Sequence, residues 1–200
     1  MRVEGMVLAG GKSRRMGGHH KGNLRYHEQS FQDHVIAEFR KLTDRILLSY
    51  GTVIHKEYPD CEIFKDVYPE IGPIGGLYSG LKQSNAELLM VAACDMPLLD
   101  ARLYQHLLKK LSEEENRTED CYDGVVPVTG EKMHPLAAVY RKSALMVLEK
   151  QIKERNYRVT DAVKAMNILY IDITEEREYE KMLRNINTEE EYQKLVMNRE

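Results

Sequence analysis

Two hundred residues, 42% hydrophobic and 30% charged, fit one ordered globular domain with enough chain to bury a large core. The net charge of −3 argues against non-specific nucleic-acid binding, and the longest apolar run, 88–94, is far too short to span a bilayer. No signal-peptide pattern opens the chain, so a cytoplasmic location is expected. Cys61, Cys94 and Cys121 lack zinc spacing and read as buried, reduced thiols.

The charge is unevenly spread. Lys12, Arg14, Arg15, Lys21 and Arg25 lie in the first 25 residues, where Glu4 is the only acid, and the tail from Glu175 is acidic. A local basic patch of this kind suits a small polyanion. It follows a first apolar strand, 5–8, which runs straight into Gly10 and Gly11. The Gly11-Lys12-Ser13 triplet invites a P-loop reading, but the required earlier glycine falls on Met6. The G-x-G-x-x-G spacing fails as well. Gly10 and Gly11 still let the backbone turn sharply and point its N–H groups at phosphate oxygens, with Arg15 and Lys21 adding positive charge. The adjacent His19 and His20 read as exposed loop residues, because neighbouring side chains diverge and no third ligand is suggested.

Helix 30–41 comes next, with Val35, Phe39 and Leu42 as core contacts, followed by strands 45–49 and 62–64. Asp66 follows the second of these. The loop to Gly76 is rich in glycine and proline, and Pro73 suits the first position of helix 73–83. Strand 88–94 ends in Asp95, and Pro97 stops it from continuing. A lone carboxylate at such a strand end can hold Mg2+, which takes one or two protein carboxylates plus phosphates and waters. Asp100 reads as the cap of helix 101–114. The polar stretch 113–120 reads as a solvated helix end and loop, dividing a front half (about 1–112) from a back half (about 121–200) of one domain. Strands 124–128, 136–140 and 168–173 alternate with helices 143–155 and 159–166. Thr188 and Glu191 form a capping box for a last helix, 189–198. This alternation predicts an α/β fold with a mostly parallel sheet covered on both faces, and ligands beyond the carboxyl ends of the strands.

Taken together, the motifs resemble those of the molybdenum cofactor guanylyltransferases, which build the guanine dinucleotide form of molybdopterin. The family's opening L-A-G-G-x-[SA]-x-R-M-G is matched from Leu8 to Gly17, with Lys21 following. Its G-P-[LI]-x-G is similar to the run from Gly72 to Gly76, and its C-D-x-P to Cys94-Asp95-Met96-Pro97. His134-Pro135 and Asn185-Ile186-Asn187-Thr188 match later anchors, so the likeness spans nearly the whole chain.

The resemblance implies a Rossmann-like, three-layer nucleotidyltransferase fold with a mixed, mostly parallel sheet. It implies that GTP lies on Leu8, Ala9, Gly10, Gly11 and Gly18, near Ser49, Asp66 and Gly75. Lys21, Arg15 and Asp95 would act in catalysis, with Mg2+ on Asp95. His134, Arg158, Asn185 and Asn187 would face molybdopterin. Handing over a fragile cofactor would bring transient contacts with molybdenum-insertion proteins or target apoenzymes. Two residues depart from the pattern: His20, where relatives carry an acid or amide, and Ser49, where asparagine is frequent. Two other readings stand beside this one. One is a cytidylyl- or sugar-nucleotidyltransferase of the same fold; the other is a non-catalytic nucleotide-binding delivery protein.

Overall fold

The computed structural model describes residues 2–10, 21–54 and 56–197, with only the backbone of Lys21. At its centre is a mixed sheet. β1 (Val3–Leu8) lies between β4 (Ile46–Ser49) and β6 (Leu88–Ala93), and pairs in parallel with both. β5 (Glu62–Phe64) extends the β4 side in parallel. Beyond β6 comes β9 (Ala137–Arg141), antiparallel, then β7 (Gly124–Thr129) and β10 (Ile168–Asp172). The short β8 (Lys132–Met133) turns back on β7.

Apart from Glu4, which is buried and paired with Arg45, β1 and β6 are apolar on both sides because helices cover both faces. One face carries α1 (Phe31–Arg40), α3 (Ala101–Thr118) and α6 (Arg177–Met182), whose Val35, Phe39, Leu103, Leu107 and Met182 share a core with Val7, Leu48 and Met90. The other face carries α2 (Pro73–Gln83), α4 (Ala144–Lys153) and α5 (Val159–Lys164). There Leu77, Leu81, Leu148 and Val163 pack on Met6, Leu47 and Val91. The chain leaves β1 for β4 on one side and later returns to β6 on the other. The strand order therefore reverses at the β1/β6 boundary, where open α/β sheets bind ligands.

The predicted elements differ from this fold mainly at their ends. α3 runs four residues past 114, because Arg117 pairs with Glu114 and the Thr118 hydroxyl donates to the Glu114 carbonyl at 2.9 Å. The stretch 113–118 is therefore helix. The front and back halves share one sheet through the β6–β9 pairing. β2 (Arg25–Tyr26) and β3 (Gln29–Ser30) form a hairpin absent from the sequence reading, as are β8 and α6. All are too short for a hydrophobic period to register. The hairpin's turn residues, His27 and Glu28, both have positive φ, where asparagine and glycine are the usual occupants.

The cysteine expectation is corrected in two places. Only Cys94 is buried; Cys121 is exposed in the polar loop ahead of β7, and Cys61 is half-buried where β5 begins. The two predicted caps are present. Asp100 Oδ1 accepts from the Arg102 amide at 2.8 Å. Thr188 Oγ1 accepts from the Glu191 amide, and Glu191 Oε2 accepts from the Thr188 amide. This box starts α7 (Glu189–Met197). None of the described helices is long and apolar enough to cross a membrane.

Candidate active site

Register alone brings the predicted residues to one edge. Leu8 pairs with Ser49 on one side and Ala93 on the other, and Ser49 pairs with Phe64. The chain segments leaving β1, β4, β5 and β6 therefore emerge side by side, carrying Gly10, Tyr50, Asp66 and Asp95. Strands lie about 4.8 Å apart, so three gaps separate β5 from β6 by about 14 Å.

The β1 exit is built tightly. The Ala9 amide donates to the Ser49 carbonyl at 2.8 Å and the Cys94 amide to the Leu8 carbonyl at 3.1 Å. Leu8 and Ala9 are buried, and Gly10 is exposed. A Cβ on Gly10 would lie 2.9 Å from the Tyr50 carbonyl carbon and 3.0 Å from the Gly51 nitrogen, so only glycine lets the chain cross the end of β4. Gly11, Arg15, Gly18 and the adjacent His19 and His20 lie outside the described residues, as does the Lys21 side chain. The Lys21 backbone opens a short 3₁₀ turn, Lys21–Asn23, which leads into the β2–β3 hairpin.

Ser49 is 2% exposed and donates its hydroxyl to Asp66 Oδ1 at 2.6 Å. Its contact therefore orients the Asp66 carboxylate. Burial raises the Asp66 pKa and the Ser49 hydrogen bond opposes that shift. The Asp66 amide donates to the Gly51 carbonyl at 3.1 Å, which closes the β4 exit against the β5 exit. Gly75 and Gly76 let the first turn of α2 press onto this corner. A Cβ on Gly76 would meet Leu8 Cδ2 at 2.5 Å and Ser49 Oγ at 3.0 Å. Ser79, which the sequence reading passed over, ties the corner: its hydroxyl donates to the Gly75 carbonyl at 2.7 Å and accepts from the Val67 amide at 2.8 Å. A serine four residues after a glycine in a helix was the available signal.

On the β6 side, Asp95 is half-buried and receives two bonds from the C-terminal segment. Asn185 Nδ2 donates to its Oδ1 at 2.7 Å, and the Ile186 amide to its carbonyl at 2.9 Å. Among the described residues no cluster of three His, Cys, Asp or Glu could hold a metal ion. One half-exposed carboxylate at the ligand edge fits a hard cation that takes its remaining ligands from phosphate and water.

His134 lies beside this site. The Leu136 carbonyl accepts from the Ala93 amide at 3.0 Å, which fixes the start of β9 against the end of β6. His134 is 9% exposed, and its Nε2 lies 2.8 Å from Thr129 Oγ1. Burial first, then the charge of Lys132, lowers its pKa to about 4. The imidazole is therefore neutral at pH 7. Because its pKa in the fold lies below the ordinary value near 6.5, the unfolded chain binds more protons between the two. Stability should fall as pH drops from about 6.5 to about 4, by up to roughly 3 kcal/mol. Replacing His134 by glutamine should flatten that part of the curve in urea titrations at stepped pH; an unchanged slope would contradict it.

Arg158 caps α5 on the α2/α4 face of the sheet, exposed, and its side chain has no ion pair among the described residues. Asn185 approaches from the opposite layer, after α6. The structure thus joins Asn185 to Asp95, while Arg158 stands at the start of α5 on the other face of the sheet. The Asn187 amide donates to Glu191 Oε2 as part of the α7 cap.

Residues 5–166 match the model of the MobA-like NTP transferase domain. A Clostridium perfringens protein named as a probable molybdenum cofactor guanylyltransferase is 32% identical over 97% of this chain and 96% of its own. The fold matches the crystal structure of molybdopterin-guanine dinucleotide biosynthesis protein A from Archaeoglobus fulgidus, with a TM-score of 0.78, 22% identity and 97% of each chain covered. It also matches 4-diphosphocytidyl-2C-methyl-D-erythritol synthase from Anaerococcus prevotii, with a TM-score of 0.68, 10% identity, and 98% of this chain and 97% of that one covered. Similarity to both structures supports the nucleotidyltransferase fold, and the near full-length match to the Clostridium protein narrows the family. Matched by that model over residues 5–166, the chain belongs to the MobA-like NTP transferases.

Proposed function

We propose that this protein transfers GMP from GTP to the terminal phosphate of molybdopterin, forming the guanine dinucleotide cofactor and releasing pyrophosphate. The observation that carries the reading is the Asp95 carboxylate at the β1/β6 boundary, one strand from the glycine turn and bonded to the Asn-x-Asn-Thr segment. An oxygen of the acceptor phosphate bonds to the α-phosphorus of GTP, and the bond from that phosphorus to the bridging oxygen breaks. The attacking phosphate is already anionic at neutral pH, so the chain needs no general base. Its work is positioning and charge stabilisation.

In this reading the loop from Gly10 through Gly18 would cradle the phosphates, with Lys21 and Arg15 supplying charge. Asp66, oriented by Ser49 and close to Gly76, borders the nucleoside, with Gly75 in the adjoining first turn of α2. Asp95 would hold Mg2+. When bound, the ion would neutralise negative charge on the α-phosphate and the leaving group. His134, neutral at pH 7, offers the acceptor a hydrogen bond rather than a charge. Arg158, Asn185 and Asn187 complete the acceptor side, which makes the front half the donor half and the back half the acceptor half. Transient hand-over to molybdenum-insertion proteins or target apoenzymes belongs to the same reading.

The test is a product assay with GTP or CTP, molybdopterin and Mg2+. Guanine dinucleotide and pyrophosphate are expected with GTP, in preference to CTP. Reaction with CTP alone would favour the cytidylyltransferase reading. Tight GTP binding with no pyrophosphate would favour a delivery protein.

A further inference from the structure

The C-terminal segment 185–197 bonds at once to two parts of the molecule that lie far apart in sequence. At one end, Asn185 and Ile186 bond to the side chain and main chain of Asp95. An ionised carboxylate only accepts hydrogen bonds, so the Asn185 amide nitrogen must be the group that faces it. At the other end, α7 packs on the hairpin that follows the glycine turn. Tyr192 donates its hydroxyl to the Arg25 carbonyl at 3.0 Å, and its ring meets Phe31 edge-on at 6.0 Å between centroids. Ile186 and Leu195 are buried against Phe31 and Leu24 in a small core separate from the two main ones. Between the two ends, the Thr188–Glu191 box stiffens the chain.

We infer that Asn185 is a positioning residue for the Asp95 carboxylate, and that α7 works as a strap fixing this carboxylate relative to the hairpin that leads out of the phosphate-binding turn. The inference rests on the proposed reading of Asp95 as a metal ligand. It differs from a purely acceptor-facing role, because Asn185 then acts before any acceptor binds. A carboxylate turned by one rotamer misplaces the cation by more than an ångström, enough to weaken both cation binding and transfer. Tyr192, which bonds to the hairpin and not to Asp95, acts in the same direction but less strongly.

The test uses Mn2+ as a paramagnetic probe, titrated into the full-length protein with saturating GTP and no acceptor. Asn185→Ala should raise the Mn2+ dissociation constant about tenfold, and Tyr192→Phe two- to threefold. GTP affinity without metal should stay within twofold of the parent for both. Tyr192→Phe removes one exposed hydroxyl bond and keeps the ring contact, so it should fold and keep the prediction measurable if Asn185→Ala does not. Unchanged Mn2+ affinity in both variants, with only the acceptor KM raised, would overturn the inference. Asp95→Asn serves as the reference. If it binds Mn2+ like the parent, the proposed metal role of Asp95 itself fails, which separates that failure from failure of the strap.

Discussion

Asp95→Ala should lower the turnover of guanylyl transfer by about a thousandfold at saturating GTP, molybdopterin and Mg2+. The size follows from position. Among the described residues Asp95 is the carboxylate at the end of the strand where the order reverses, and no cluster of three ligand side chains could replace it. The change should cost little stability. Asp95 is half-buried, and the Ile186 bond to its main-chain carbonyl is retained. Pyrophosphate release gives the rate, and a thermal melt reports the fold. Near-parental turnover from a folded variant would remove Asp95 from the chemistry.

Gly75→Ala should act mainly on the fold, with a loss on the order of 2–3 kcal/mol and a melting temperature lower by about 4–10 °C. An alanine Cβ would lie 2.4 Å from the Tyr68 carbonyl oxygen and 3.0 Å from Ile71 Cγ1. The nearer atom is backbone, and Ser79 ties that backbone to α2 through Val67. Either α2 or the 66–68 turn must shift, and Asp66 moves with the turn. Affinity for GTP should therefore fall together with the melting temperature, and added GTP should raise that temperature less than in the parent. A variant melting within 1 °C of the parent would show that the corner yields freely.

Much of this architecture could be read in the chain because long apolar runs between turn signals have one physical solution. The runs 5–8 and 88–94 have no polar face, so they had to be central strands covered on both sides. Asp95 and Pro97 mark where the second of them stops. Pro73 marked the start of α2 to the residue, and Asp100 and Thr188 named their own caps. Pairs of residues far apart in sequence could not be read this way. Nothing in the spacing of Asn185 from Asp95, 90 positions apart, says that they touch. The resemblance put Ser49 near GTP, but only side-chain geometry shows its hydroxyl directed at Asp66. The two-residue strands of the hairpin carry no period at all, yet they support the small core on which α7 rests.

The seven-strand ladder from β5 to β10 has six gaps, so its binding edge is a ledge about 29 Å long. On the proposed reading, one continuous ledge receives both halves of an elongated product, whereas pyrophosphate is held only at the donor end. A molecule gripped at both ends escapes by freeing one end and then the other, and either end can fall back before the second lets go. The small product would leave first, and the finished cofactor would linger with one end lifted, ready to be drawn off by whatever receives it.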